Sequence, residues 1–98
     1  MKPLTADELA AALDNLPGWV GSTARIQIEF TAPTFPIAIE LVVQAAEAAE
    51  DLNHHPDIDI RWVQVLFVLS THSAGGVTVL DLELARRISA CAYGLGCF

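Results

Sequence analysis

Three histidines are the residues of this chain best suited to chemistry. His54 and His55 are adjacent and precede Pro56, whereas His72 comes later, just before a glycine-containing loop. An imidazole titrates near neutral pH, so it can give or take a proton under cellular conditions. All three lie at predicted element ends, where sites are commonly built on a rigid scaffold. We therefore treat them as candidate acid–base groups.

Three interpretations of these histidines are compatible with the residues alone. They could make only structural hydrogen bonds, because a half-buried histidine often does so. They could hold zinc, although adjacent residues in an extended chain point to opposite sides and no H-x-H, H-x-x-x-H or cysteine spacing supports such a site. They could also transfer protons without a cofactor.

An ordered set of residue types runs through the second half of the chain and carries a family resemblance. In sequence order the set is Glu50, His54, His55, Pro56, Trp62, His72 and Asp81. Together with the segments "EDLNHHPDIDIRW", "LSTHSAGGVTVLD" and "LELARRI", it resembles the pterin-4a-carbinolamine dehydratase family. The likeness runs from about Trp19 to Ile88 and is clearest from Glu50 onward.

The resemblance implies a hydro-lyase that dehydrates 4a-hydroxytetrahydropterin to quinonoid dihydropterin and so recycles the pterin of aromatic amino-acid hydroxylases. The reaction removes hydroxide from C4a and a proton from N5, and it needs no cofactor and no metal. Carried over by position, His54, His55 and His72 are the catalytic residues that line the pterin pocket. We expect His54 and His72 to transfer the protons and His55 to bind and polarise the substrate.

Four further positions of the resemblance are expected to contribute to substrate binding: Glu50, Pro56, Trp62 and Asp81. Glu50 lies one helical turn before His54 and would orient an imidazole, unless it is an ordinary surface carboxylate. Asp81 stands at the third position of a predicted helix, so capping is an alternative to a role in the site. Trp62 is expected to pack, with stacking on the pterin as the alternative.

Composition restricts both the architecture and the partners. A chain of 98 residues predicts a single domain, residues 1–98. The formal net charge is −7, with five basic residues against twelve acidic ones. Because binding to nucleic acid or to an anionic membrane requires clustered basic residues, we expect neither as a direct partner.

Cysteine use and hydropathy point to the cytoplasm. No basic leader followed by an apolar run opens the chain, and no apolar stretch approaches the length that spans a bilayer. A disulfide between Cys91 and Cys97 would close only a small loop, so we interpret both as free thiols.

Local patterns predict the order α-β-β-α-β-β-α. Thr5 and Glu8 have capping-box spacing before an apolar stripe that Pro17-Gly18 ends, and "WVGS" and "ARIQIEF" read as strands. A long helix then starts near Thr34. The stretch "IDIRWVQVLFVLST" is β-rich but too long for one strand, so we expect a turn near Arg61-Trp62. Thr78 with Asp81 would cap a last helix. This order predicts an α+β fold, a four-stranded antiparallel sheet with three helices on one face.

The long helix also suggests association. Its apolar face is wide and rich in alanine, so a partner helix can approach closely. The resemblance implies a homodimer or homotetramer. It also leaves an alternative function open, a non-catalytic binding protein, assembly chaperone or coactivator on the same fold, because fold alone does not establish function.

Overall fold

The structure is a computed structural model that describes all residues, 1–98. It contains three α-helices, four strands and one short 3₁₀ turn. In chain order these are α1 (Ala6–Leu13), β1 (Val20–Gly21), β2 (Ile26–Thr31), α2 (Phe35–Leu52), β3 (Asp57–Arg61), β4 (Gln64–Leu69), the 3₁₀ turn His72–Ala74 and α3 (Val79–Gly94). The predicted element order and α+β class are confirmed.

The strands form one antiparallel sheet in the order β1-β2-β4-β3. In this register Ile26 at the start of β2 pairs with Leu69 at the end of β4. Asp57 at the start of β3 pairs with Val68. The start of β2, the end of β4 and the start of β3 therefore meet at one end of the sheet.

The core lies between one face of this sheet and the helices. Along β2 and β4 alternate side chains are buried, as strand geometry requires, and they pack against small and branched residues of α2 and α3. Fully buried members of this core include Ile26, Val65, Phe67, Leu69, Leu41, Ala45, Leu84 and Ile88. On the opposite face Gln27 and Glu29 are exposed and Val68 is half-buried. This open face is where a cavity can form.

The predicted turn between β3 and β4 is confirmed, but the expected packing of its tryptophan is wrong. Arg61 and Gln64 are the last paired residues, so Trp62 and Val63 form the turn. Trp62 has a φ of 54° and is 86% exposed. Because it belongs to the turn rather than to the buried face of a strand, its ring projects away from the core.

The segment after α3 packs against the sheet. The backbone of Phe98 exchanges two hydrogen bonds with Thr31 at the end of β2, with N···O distances of 2.6 and 2.9 Å. Cys97 is buried beside this pairing, and Cys91 and Cys97 are both free thiols. No helix combines the length and the apolarity that a crossing of the bilayer requires.

Candidate functional site

The end of α2 sets the position of the two adjacent histidines. Asn53 adopts the left-handed conformation, with φ 48° and ψ 45°. Its N–H donates to Glu50 O, and the N–H of His54 donates to Ala49 O, a pair of bonds that defines a Schellman motif. This motif ends the helix and fixes the main chain of His54 against its last turn.

His54 turns toward the N-terminus of α3, where it meets Asp81. Its Nε2 lies 2.5 Å from Asp81 Oδ1. The His54 side chain is only 12% exposed and that of Asp81 is fully buried. Since a carboxylate only accepts hydrogen bonds, Nε2 is the protonated nitrogen of this pair, and in the neutral ring Nδ1 keeps the free lone pair.

Asp81 is the centre of a buried hydrogen-bond network. Its Oδ2 accepts from the Thr71 hydroxyl at 2.7 Å and from the Thr78 N–H at 2.9 Å. The Thr71 and Thr78 hydroxyls lie 2.8 Å apart, and no buried side-chain polar atom is left without a partner. Asp81 therefore caps α3, as predicted, and also joins His54 to Thr71, the residue just before His72.

His55 points away from its neighbour, toward the open face of the sheet. Its Nε2 lies 2.5 Å from Glu50 Oε2, and the two side chains are 61% and 74% exposed. Successive side chains of an extended segment lie on opposite sides, which accounts for the divergence of His54 and His55. The carboxylate of Glu50 thus orients an imidazole, and that imidazole belongs to His55.

His72 lies in a short, closed loop that follows β4. Thr71 and Gly76 form an antiparallel bridge, and the residues between them make the 3₁₀ turn, closed by Gly75 in the left-handed conformation. Thr71 is buried and points to Asp81, whereas His72 is exposed. Glycine is required at position 76 because a Cβ there would lie 2.6 Å from Thr23 O.

A cavity of about 360 Å³ lies at the end of the sheet where these segments meet. Its wall is formed by the segment just before β2, the segment between α2 and β3, the start of β3, the end of β4 and the loop after β4. The residues that matter for its chemistry are Arg25, His55, Asp57, Val68, Ser70 and His72. Two imidazoles, one guanidinium and one carboxylate thus surround a space of the size that small-molecule sites commonly have.

The structure divides the residues expected in the site into three groups. His55 and His72, distant in sequence, line the same cavity. His54 does not line it and is instead bonded to Asp81, and Glu50 reaches it only through His55. Pro56 is half-buried between His55 and β3, and Trp62 lies at the opposite end of β3 and β4. Neither Pro56 nor Trp62 lines the cavity.

Sequence reasoning missed two charged residues of the cavity, Arg25 and Asp57. From the sequence, Arg25 is only a member of the predicted strand "ARIQIEF". The period-two pattern shows that Arg25 and Asp57 face away from the core, but not that β2 and β3 start at the same end of the sheet. A strand-order prediction of β1-β2-β4-β3 would have brought them together.

Comparison with known proteins gives consistent results. The family model described as "Pterin 4 alpha carbinolamine dehydratase" matches residues 2–91. A protein of Nocardia farcinica named "Putative pterin-4-alpha-carbinolamine dehydratase" is 53% identical over 91% of this chain and 94% of its own. A Mycolicibacterium smegmatis protein of the same name is 46% identical over 91% and 95%. The crystal structure of a "transcriptional coactivator/pterin dehydratase" from Brucella melitensis superimposes with a TM-score of 0.88 at 39% identity, over 93% of this chain and 99% of that one.

Proposed function

Because this chain belongs to the pterin-4a-carbinolamine dehydratase family, we propose that it dehydrates a 4a-hydroxytetrahydropterin to quinonoid dihydropterin and water. The observation that carries the proposal is the meeting of His55 and His72 at one cavity of about 360 Å³. Such a cavity is large enough for a bicyclic heterocycle. Two imidazoles supply the two proton transfers that the reaction requires.

The reaction is an elimination in which no electrons are exchanged with a second reactant. A base takes the proton from N5, and the electron pair of that bond forms the C4a–N5 double bond. The C4a–O bond breaks while an acid donates a proton to the departing hydroxyl, which leaves as water. In each turnover the imidazole that acts as base gains a proton and the imidazole that acts as acid loses one. Proton exchange with solvent then restores the starting protonation state of both.

We assign these two transfers to His55 and His72, because they are the histidines that line the cavity. This differs from the pair His54 and His72 expected from the sequence. His54, held by the buried carboxylate of Asp81, acts in this proposal as a positioning residue. It fixes the chain that presents His55, while Thr71, bonded to the same carboxylate, fixes the chain that presents His72.

The test is turnover of chemically prepared 4a-hydroxytetrahydropterin, followed by absorbance against the spontaneous rate. His55→Ala and His72→Ala should each lower kcat about 10²-fold, the usual contribution of a general acid or base. Trp62→Ala is the matched control, because that ring is exposed and remote from the cavity. Absence of any acceleration by the unaltered protein would end the dehydratase proposal, and unchanged rates in both histidine variants would end the assignment.

A second function, as a binding or assembly protein, is favoured by one surface feature. Phe35, Ile39 and Val43 recur every fourth residue along α2 and are 52%, 41% and 44% exposed. This stripe lies outside the core and is suited to self-association as a homodimer or homotetramer. Sedimentation of the protein and of Ile39→Glu tests that association, and a variant that dissociates but keeps full turnover separates the two functions.

A further inference from the structure

We infer that Arg25 selects a pterin whose C6 side chain carries an anionic group, a carboxylate or a phosphate. The inference rests on the proposed dehydratase function and specifies the substrate class for the same cavity. It assigns the pyrimidine end of the pterin to Asp57 and the side-chain end to Arg25, which stand on opposite sides of β4.

Arg25 is the arginine of this chain that has no carboxylate within 4 Å. Arg61 pairs with Asp59 at 3.5 Å, whereas Arg86 and Arg87 both pair with Glu83 at 3.3 Å. The chain has twelve acidic residues and only five basic ones, so partners are abundant. The arginine that remains without a carboxylate partner is also the arginine that lines the cavity.

The backbone that carries Arg25 is held rigidly at the cavity wall. The Ser22 N–H donates to Arg25 O at 2.9 Å and closes the turn before β2. The Ser70 hydroxyl donates to Ala24 O at 2.8 Å, and the Val77 N–H donates to Thr23 O at the same distance. A side chain on such an anchored segment binds a ligand with little loss of backbone freedom.

The sheet order sets the distance between the two charged residues. β4 lies between β2 and β3, and Asp57 pairs with Val68 whereas Ile26, the residue after Arg25, pairs with Leu69. Two strand spacings and an offset of two residues along the strands separate the backbones of Arg25 and Asp57 by about 12 Å. A pterin presents two adjacent donors, the 2-amino group and N3–H, at one end, and these match the two oxygens of a carboxylate. The C6 substituent projects from the opposite end of the pterin. It therefore points toward Arg25 when Asp57 binds the 2-amino group and N3–H.

The chemistry at the Arg25 end favours an anion. Guanidinium donors form a planar fork that fits a carboxylate or a phosphate with two parallel hydrogen bonds. A neutral hydroxyalkyl side chain would not neutralise that charge. The net charge of −7 otherwise disfavours the binding of anionic ligands. The unpaired positive charge of Arg25 at the cavity rim is the feature that would attract them.

The experiment compares the binding of three pterins to the full-length protein by quenching of pterin fluorescence. The probes are 6-hydroxymethylpterin, which is neutral, 6-carboxypterin and 6-hydroxymethylpterin phosphate. We expect one or both anionic probes to bind about tenfold more tightly than the neutral one, as a charge-assisted contact on an open rim allows. The difference should shrink as salt is added.

Arg25→Gln should lower the affinity for whichever anionic probe binds more tightly by about tenfold. The affinity for 6-hydroxymethylpterin should stay within about twofold of its value in the unaltered protein. Arg61→Gln, which changes net charge equally at the far end of β3, is the matched control and should leave every affinity unchanged. Equal binding of all three probes, or equal losses in both variants, would overturn the inference. If neutral substrate is still turned over in that case, the dehydratase proposal stands without it. Failure of all three pterins to bind would overturn the inference, and the turnover assay with 4a-hydroxytetrahydropterin alone would then decide the dehydratase proposal.

Discussion

Replacement of Asp81 by asparagine separates the two roles that the structure gives this carboxylate. Asparagine has nearly the same shape, and its amide oxygen can still accept from Thr71 and from the Thr78 N–H. The NH₂ group of the asparagine would then face His54 Nε2, the nitrogen that carries a proton in the unaltered protein. Two donors cannot bond to each other, so His54 must either lose the contact or move its proton to Nδ1.

The expected cost follows from the three hydrogen bonds. Charge-assisted bonds contribute about 1.5–3 kcal/mol each and neutral ones about 0.5–1.5, so Asp81→Asn weakens two bonds and breaks or inverts the third. Burial of a neutral amide in place of a charge offsets part of this loss. We expect a net loss of about 2 kcal/mol, which lowers Tm by roughly 10 °C in a domain of this size.

Activity should fall further than stability accounts for. A small displacement of groups that must align with the substrate can reduce rate by about 10²-fold, and Asp81 holds the segments that carry both His55 and His72. We expect kcat to fall about ten- to a hundredfold with little change in KM, and NMR of the imidazole nitrogens to show the tautomer change at His54.

Thr5→Ala is the control, because Thr5 and Glu8 form a capping box of the same kind on α1, which contributes no residue to the cavity wall. It should lower Tm without affecting kcat. If Asp81→Asn behaves like this control, with unchanged kcat and an unchanged His54 tautomer, then Asp81 only caps α3 and the positioning argument is refuted.

Three further predictions test other parts of the structure. Asn53→Val should destabilise the protein by about 1–2 kcal/mol, because a branched residue resists the left-handed conformation that Asn53→Gly would retain; equal urea midpoints for the two variants would contradict this. Burial raises the pKa of Cys97 above its ordinary 9.0, so iodoacetamide at pH 8 should label it much more slowly in the folded protein than in urea, and equal rates would show that the tail is not packed. The backbone and side-chain hydrogen bonds of Thr5 lower the pKa of Glu8, so the stabilisation from this pair is complete above the ordinary pKa of 4.5 and is lost as pH falls through the lowered value. The Tm difference between the protein and Glu8→Gln should therefore shrink at acid pH, and a constant difference would contradict the assignment.

Local interactions made most of the fold readable from the sequence. The capping boxes at Thr5 and Thr78 lie within single helical turns, and the alternation along β2 repeats every second residue, so each is visible in a short segment. The ordered histidine motif identified the family for the same reason, because spacing along the chain is a property of the chain itself. These features predicted the element order and class correctly.

Only the tertiary structure decided which of those residues share a site. The sequence motif contains three histidines, but they do not share one environment. His54 is hydrogen-bonded to Asp81 of α3, whereas His55 and His72 line the cavity. The strand order β1-β2-β4-β3 brought in Arg25, which no local pattern marked. Contacts between distant segments depend on how the sheet and helices pack, and a periodicity reports only the face on which a side chain lies, not what it meets there.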